Sequence, residues 1–140
     1  MKILLVDDEP LARDRLRRLL QRLRPEAEVI EAGSGEDALA LLAREDPSLV
    51  LLDVRMPGMD GIEVAAALDR LPAPPAVIFC TAYDEYALDA LRHQAVAYLL
   101  KPVRETELAR ALATAGRVNR VQLAALSDGE PAGRTQVSSQ

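Results

Sequence analysis

Asp7, Asp8 and Glu9 stand in a row directly after the apolar run Lys2–Val6. Asp53 ends a second apolar run, Leu49–Leu52, Thr81 follows a third, Val77–Cys80, and Lys101 follows a fourth, Tyr98–Leu100. Carboxylates, a hydroxyl and an ammonium of this kind suit a divalent cation, a nucleophilic aspartate and a phosphoryl group. The acidic row taken alone also fits a solvated helix N-terminus, where acids are favoured. Asp53 weighs more, because a charge ending the most apolar run is costly unless it is paired or metal-bound. Carboxylates on two strand ends make the hard oxygen site that Mg²⁺ uses together with waters and a phosphate oxygen. Such an ion would shield a negative nucleophile from a negative donor. Lys101 is one of only two lysines among seventeen basic residues. It reads either as an ammonium reaching Asp53 or as a lysine snorkelling from a strand end. Thr81 is a phosphoryl-oxygen donor or simply a β-branched strand residue, and is uninformative alone.

Short, continuously apolar runs are expected of strands buried on both faces, as in a parallel sheet covered by helices. Ligands of such sheets bind at the carboxyl edge of the strands, where all these residues would meet. Strands are expected over 2–7, 28–32, 48–53, 76–81 and 97–100. Helices are expected over 10–23, 34–44, 62–71, 84–93 and 105–117. The first helix carries Ala12, Leu16, Leu19, Leu20 and Leu23 at helical spacing, with Pro10 at a tolerated first position. Five strands alternating with five helices imply an α/β doubly wound fold. The tail from Ser127 is rich in Gly, Ser, Pro and Gln and reads as a linker.

The 140 residues suit one domain, and 49% hydrophobic content suffices for a core. A net charge of −5 argues against a nucleic-acid surface. One cysteine, Cys80, allows no internal disulfide and reads as a small buried hydrophobe. No signal peptide and no membrane-length apolar run are seen, so a cytoplasmic location without membrane contact is expected. Gly33-Ser34-Gly35-Glu36-Asp37-Ala38 fits a dinucleotide fingerprint. Its acids would repel a pyrophosphate, and Ser34 with Asp37 reads better as a capping variant. Arg13, Arg15, Arg17, Arg18, Arg22 and Arg24 lie outside the apolar stripe of the first helix and read as a solvated face. His93 reads as a surface residue at a helix end.

Taken together the set resembles the receiver domain of two-component response regulators. Leu5-Val6-Asp7-Asp8-Glu9, Leu52-Asp53 through Gly61, Thr81-Ala82 and Tyr98-Leu99-Leu100-Lys101-Pro102 carry the resemblance over about residues 1–117. It implies a flavodoxin-like (βα)5 sandwich with a five-stranded parallel sheet in the order 2-1-3-4-5. It also implies Asp53 as phosphoacceptor and a Mg²⁺ site of Asp7, Asp8, Asp53 and the Arg55 backbone carbonyl. Thr81 and Tyr98 would be the switch pair, Lys101 the phosphate-binding lysine, and Lys101–Pro102 a cis peptide.

Residues 75–103 and 119–126 resemble one branch, transcriptional regulators with a LytTR-type DNA-binding output, such as alginate-biosynthesis regulators of pseudomonads. A receiver at 1–120 and a linker at 121–140 toward an output domain are therefore expected. The implied partners are a sensor histidine kinase, the protein's own output domain and a phosphorylation-dependent second copy, with DNA met only through the output domain. A receiver catalyses no reaction beyond its own phosphorylation and dephosphorylation. The switched surface would be the face of helix 84–93, strand 97–100 and helix 105–117. Rival readings are a stand-alone or degenerate receiver acting only through protein contacts, and a phosphatase of the haloacid dehalogenase type. The latter would want an acid two residues after its nucleophile; Arg55 follows Asp53, whereas Glu9 follows Asp7.

Overall fold

The structure, a computed structural model, describes residues 1–83 and 95–128, with the backbone alone from 118 onward. Five strands, β1 (Lys2–Val6), β2 (Glu28–Ala32), β3 (Leu49–Leu52), β4 (Ala76–Thr81) and β5 (Ala97–Leu100), form one parallel sheet in the order β2-β1-β3-β4-β5. The described helices are α1 (Pro10–Leu23), α2 (Gly35–Glu45), α3 (Gly61–Asp69) and α4 (Glu105–Asp128). The expected helix 84–93, with His93, lies outside the described residues.

Alternation along the strands sorts their side chains onto two cores. Ile3, Leu5, Leu49, Leu51, Ile78 and Cys80 pack on one face against Leu16 and Leu20 of α1 and Leu108 and Leu112 of α4. Leu4, Val6, Val50, Leu52 and Phe79 pack on the other against Ala38 of α2 and Val64 and Leu68 of α3. Both faces are covered, which is why β1, β3 and β4 read as unbroken apolar runs rather than alternating ones.

The helix ends follow local chemistry. Ser34 caps α2, its hydroxyl accepting the Asp37 N–H at 3.1 Å, so the glycine-rich segment is a helix cap as expected. Asp60 and Glu63 form a reciprocal capping box at the start of α3. Five spans differ from expectation. β1 ends at Val6 rather than 7, α2 runs Gly35–Glu45 rather than 34–44, β3 is shorter than 48–53, α3 begins at Gly61 and ends at Asp69, and α4 runs past Arg117 to Asp128. Residues 118–128 contain no glycine or proline, and the first breakers are Gly129 and Pro131. The basic Arg117 reads as a helix end only when taken alone. The helix therefore continues through the expected boundary at residue 120.

Candidate functional site

The register delivers the chemistry to one edge. Val6 stands beside Leu52, Leu52 beside Phe79, and Thr81 beside Leu100, so the residues that follow these strand ends are neighbours. The ladder persists a step further: the Asp53 N–H donates to the Val6 carbonyl at 3.0 Å, and the Lys101 N–H to the Thr81 carbonyl at 2.8 Å. Asp7, Asp53 and Thr81 are the buried polar residues among those described, at 1%, 6% and 0% exposure. All three sit in this edge.

The Lys101 ammonium donates to Asp7 Oδ2 at 2.7 Å and to Asp53 Oδ2 at 3.1 Å. The lysine thus points inward and does not snorkel. The Lys101–Pro102 peptide that comes after it is cis, as expected. The other oxygens are held by backbone: Asp7 Oδ1 accepts the Glu9 N–H at 2.9 Å, and Asp53 Oδ1 the Arg55 N–H at 3.3 Å. Burial raises the Asp53 carboxyl above its ordinary range, against the pull of Lys101, with Asp7 pushing the same way as burial. Burial tends to lower the Lys101 ammonium, but its hydrogen bond to Asp7 and the charges of Asp53 and Asp7 outweigh it, so the net shift is upward. The lysine therefore stays charged between two carboxylates.

Asp8 completes the acidic group. Asp7, Asp8 and Asp53 each offer a carboxylate oxygen, and these oxygens lie within 4.8 Å of one another. Glu9 instead takes the N-cap position of α1 and is exposed. Three converging carboxylates, two of them buried, are hard donors of the kind Mg²⁺ prefers, so the residues present fit that ion.

Around this group lies a second tier. Thr81 Oγ1 accepts the Tyr83 N–H at 3.4 Å. The Tyr98 ring packs at 6.2 Å from Phe79, and its hydroxyl donates to the Tyr83 carbonyl. The Arg55 guanidinium lies over the Tyr83 ring, 4.7 Å from its centroid.

Two residues position the site through contacts that sequence does not show. Gly61 packs so tightly under the Asp53 loop that a Cβ there would stand 2.1 Å from the Asp53 carbonyl oxygen. Its N–H also donates to the Val54 carbonyl at 2.8 Å. Arg13 reaches from α1 to the Asp7 carbonyl at 2.5 Å and to Glu31 at 2.9 Å. Sequence places Arg13 on a solvated face; its partner on β2 becomes a neighbour only through the fold.

Residues 3–113 match the response regulator receiver domain family. The chain belongs to that family. Receiver domains are signalling domains, generally Mg²⁺-dependent, that pair with histidine kinases and output domains. This receiver is 58% identical over 129 residues to the positive alginate biosynthesis regulatory protein of Pseudomonas aeruginosa, covering 91% of this chain and 52% of that protein. It is 42% identical over 120 residues to the sensory transduction protein LytT of Bacillus subtilis, covering 86% of this chain and 50% of that one. The chain spans about half the length of the curated relatives it matches. Among solved structures, it resembles the response regulatory domain of protein mrkE from Klebsiella pneumoniae. The TM-score is 0.78 at 28% identity, covering 84% of this chain and 97% of that one. Among the described residues, no helix is long and apolar enough to cross a membrane.

Proposed function

We propose that this receiver accepts a phosphoryl group on Asp53 from the phosphohistidine of a sensor kinase or from a small acyl phosphate, and so controls a DNA-binding output domain of the full-length protein. The observation that carries this reading is the Lys101 ammonium set between the Asp7 and Asp53 carboxylates, at 2.7 and 3.1 Å, at the edge where Asp8 follows β1 and Thr81 ends β4.

An Asp53 carboxylate oxygen attacks phosphorus while the bond from phosphorus to the donor nitrogen or oxygen breaks. The electron pair leaves with the donor, and Asp53 becomes an acyl phosphate. Lys101 offsets the charge on the transferring oxygens, and its second contact, to Asp7, holds it in place. Thr81 supplies a hydroxyl donor. Asp7, Asp8, Asp53 and the Arg55 backbone carbonyl are the groups that would hold Mg²⁺. When bound, that ion neutralises the two anions that must meet.

Charge gained at Asp53 draws Thr81 toward it and lets Tyr98 change rotamer, which alters the outer face around β5 and α4. Output through transcription is supported by the names of further relatives, the transcriptional regulatory proteins BtsR of Salmonella typhi and LytR of Staphylococcus aureus, 40% and 38% identical, and the expected division into a receiver at 1–120 and a linker at 121–140 belongs to the same reading. A kinase, the output domain and a second copy are the proposed partners, in the cytoplasm.

The test is incubation with acetyl phosphate and Mg²⁺ followed by intact-mass measurement. One hydroxylamine-labile phosphoryl group is expected on the wild type and none on Asp53→Asn. Equal labelling of that variant would refute the assignment. No labelling of the wild type, with no Mg²⁺ binding, would favour a degenerate receiver acting through contacts alone.

A further inference from the structure

Beyond Thr81 the chain leaves the β4 ladder, and Tyr83 ties the next turn to its surroundings. The Tyr83 N–H rests on Thr81 Oγ1 at 3.4 Å, and the Tyr83 ring lies under the Arg55 guanidinium at 4.7 Å. Arg55 is in turn fixed by its own N–H on Asp53 Oδ1 at 3.3 Å. The loops after β3 and β4 are therefore clasped together beside Asp53 by a cation–π contact. The same Tyr83 residue offers its carbonyl to the Tyr98 hydroxyl. Tyr98 is held at its ring end by Phe79, a fully buried core residue, and at its polar end by the Tyr83 carbonyl.

We infer that Arg55 is a positioning residue for Tyr98, acting through the stacked Tyr83, and that its guanidinium is the part of the clasp a phosphoryl group on Asp53 would draw away. Arg55 and Tyr83 are both exposed, Tyr83 at 41%, so the stack is a weak surface contact. A guanidinium gains more from charge-assisted, bidentate contact with a phosphoryl group than from the face of a phenol. New charge two residues away would therefore compete for Arg55 and win. The Tyr83 turn then loses its tie to the loop after β3, and the acceptor of the Tyr98 hydroxyl shifts. Only this second step rests on the reading of Asp53 as phosphoacceptor; the resting clasp stands on the contacts alone.

The chain has three tyrosines and no tryptophan, so 3-fluorotyrosine labelling gives three ¹⁹F resonances, and Tyr98→Phe identifies that of Tyr98. In the full 140-residue chain without phosphate mimic, Arg55→Ala should move the Tyr98 resonance by more than its linewidth. The direction should be that taken by the wild type with beryllium fluoride and Mg²⁺. Tyr83→Ala should do the same. Arg55→Lys, which keeps a cation over the ring, should restore at least half of the wild-type position. Tyr83→Phe, which keeps both ring and carbonyl, should leave it in place. An unmoved Tyr98 resonance in Arg55→Ala, with unchanged far-ultraviolet circular dichroism, would overturn the inference. So would a shift in Tyr83→Phe equal to that in Tyr83→Ala. Acetyl phosphate labelling of Asp53 is read separately on the same samples. A receiver that labels normally while Tyr98 ignores Arg55 loses only the clasp. A receiver that fails to label, while Tyr98 still answers to Arg55, loses only the phosphoacceptor reading.

Discussion

Lys101 is a single ammonium serving two buried carboxylates, and removing it leaves both without their cation. Breaking one side of a buried ion pair costs about 3 kcal/mol or more, because a desolvated charge is left alone. Lys101→Met should therefore lower the urea midpoint sharply in metal-free buffer. Mg²⁺ should then stabilise the variant more than the wild type, since a divalent cation takes over a neutralisation that Lys101 otherwise provides. Equal Mg²⁺ increments in both proteins would count against a shared cluster. Cys80 gives a second residue-scale test. Burial pushes its thiol up to about 12, with Lys101 pulling weakly the other way. An unfolded thiol ionises near about 8.5. The proton is thus held by the folded state alone between these values, so its stabilising effect is whole below the lower one and is lost as pH rises toward the upper. The folded wild type should lose about 1.4 kcal/mol per pH unit more than Cys80→Ala across that window. Urea melts at two alkaline pH values would measure it, and parallel slopes would exclude the effect.

At the scale of elements, the strand ends place the chemistry and the loop after β3 refines it. Gly58 takes a φ of 76°, a left-handed turn, and Gly61 passes against the Asp53 carbonyl with no room for a Cβ. Gly61→Ala should displace the Asp53 loop, costing about 1–3 kcal/mol as an overpacked site does and weakening Mg²⁺ binding with it. Calorimetric titration alongside thermal melts checks both, and a variant that loses stability while binding Mg²⁺ unchanged would show that the loop does not position the cluster. Four of the five strands were legible because each is an apolar run that leads into a functional residue, Asp53 after Leu49–Leu52 being the clearest case, whereas β2, with Glu28 and Glu31, carries a weaker pattern. The convergence of Asp7, Asp53 and Lys101 followed from topology, since parallel strands present their carboxyl ends together. What sequence could not disclose depends on contacts between distant segments. The bridge from Arg13 to Glu31 and the Asp7 carbonyl crosses from helix to strand, and the Arg55–Tyr83 stack joins two loops. The continuation of α4 to Asp128 was hidden for a different reason, because a basic residue resembles a helix end although nothing in the following segment breaks the helix.

For the molecule as a whole, a sheet sealed by a core on each face leaves its edges to communicate with partners. Beside β5, Leu100 is 45% exposed, and Arg104, Glu107 and Arg110 are exposed on the loop and helix that follow. The acidic Asp84, Glu85 and Asp89 belong to the neighbouring segment of the chain, outside the described residues. In a two-fold contact each charged group meets its opposite twice, which suits a chain that carries basic residues here and acidic ones in the preceding segment. Tyr98 lies on β5, beside the basic residues, so a change in its rotamer would change the surface that a second copy meets. Exposed ion pairs contribute roughly 0–1 kcal/mol each, so the association should be weak and should fade with salt. Sedimentation of the protein with beryllium fluoride and Mg²⁺ should show a shift toward dimer that is absent without the mimic. Charge reversal by Arg110→Glu should reduce that shift several-fold while leaving acetyl phosphate labelling of Asp53 unchanged, because Arg110 lies on α4 and makes no part of the acidic cluster. A shift equally strong in the variant would move the contact to another face. No mimic-dependent shift at high protein concentration would separate the chemistry at Asp53 from self-association, leaving the output to a contact within the longer chain.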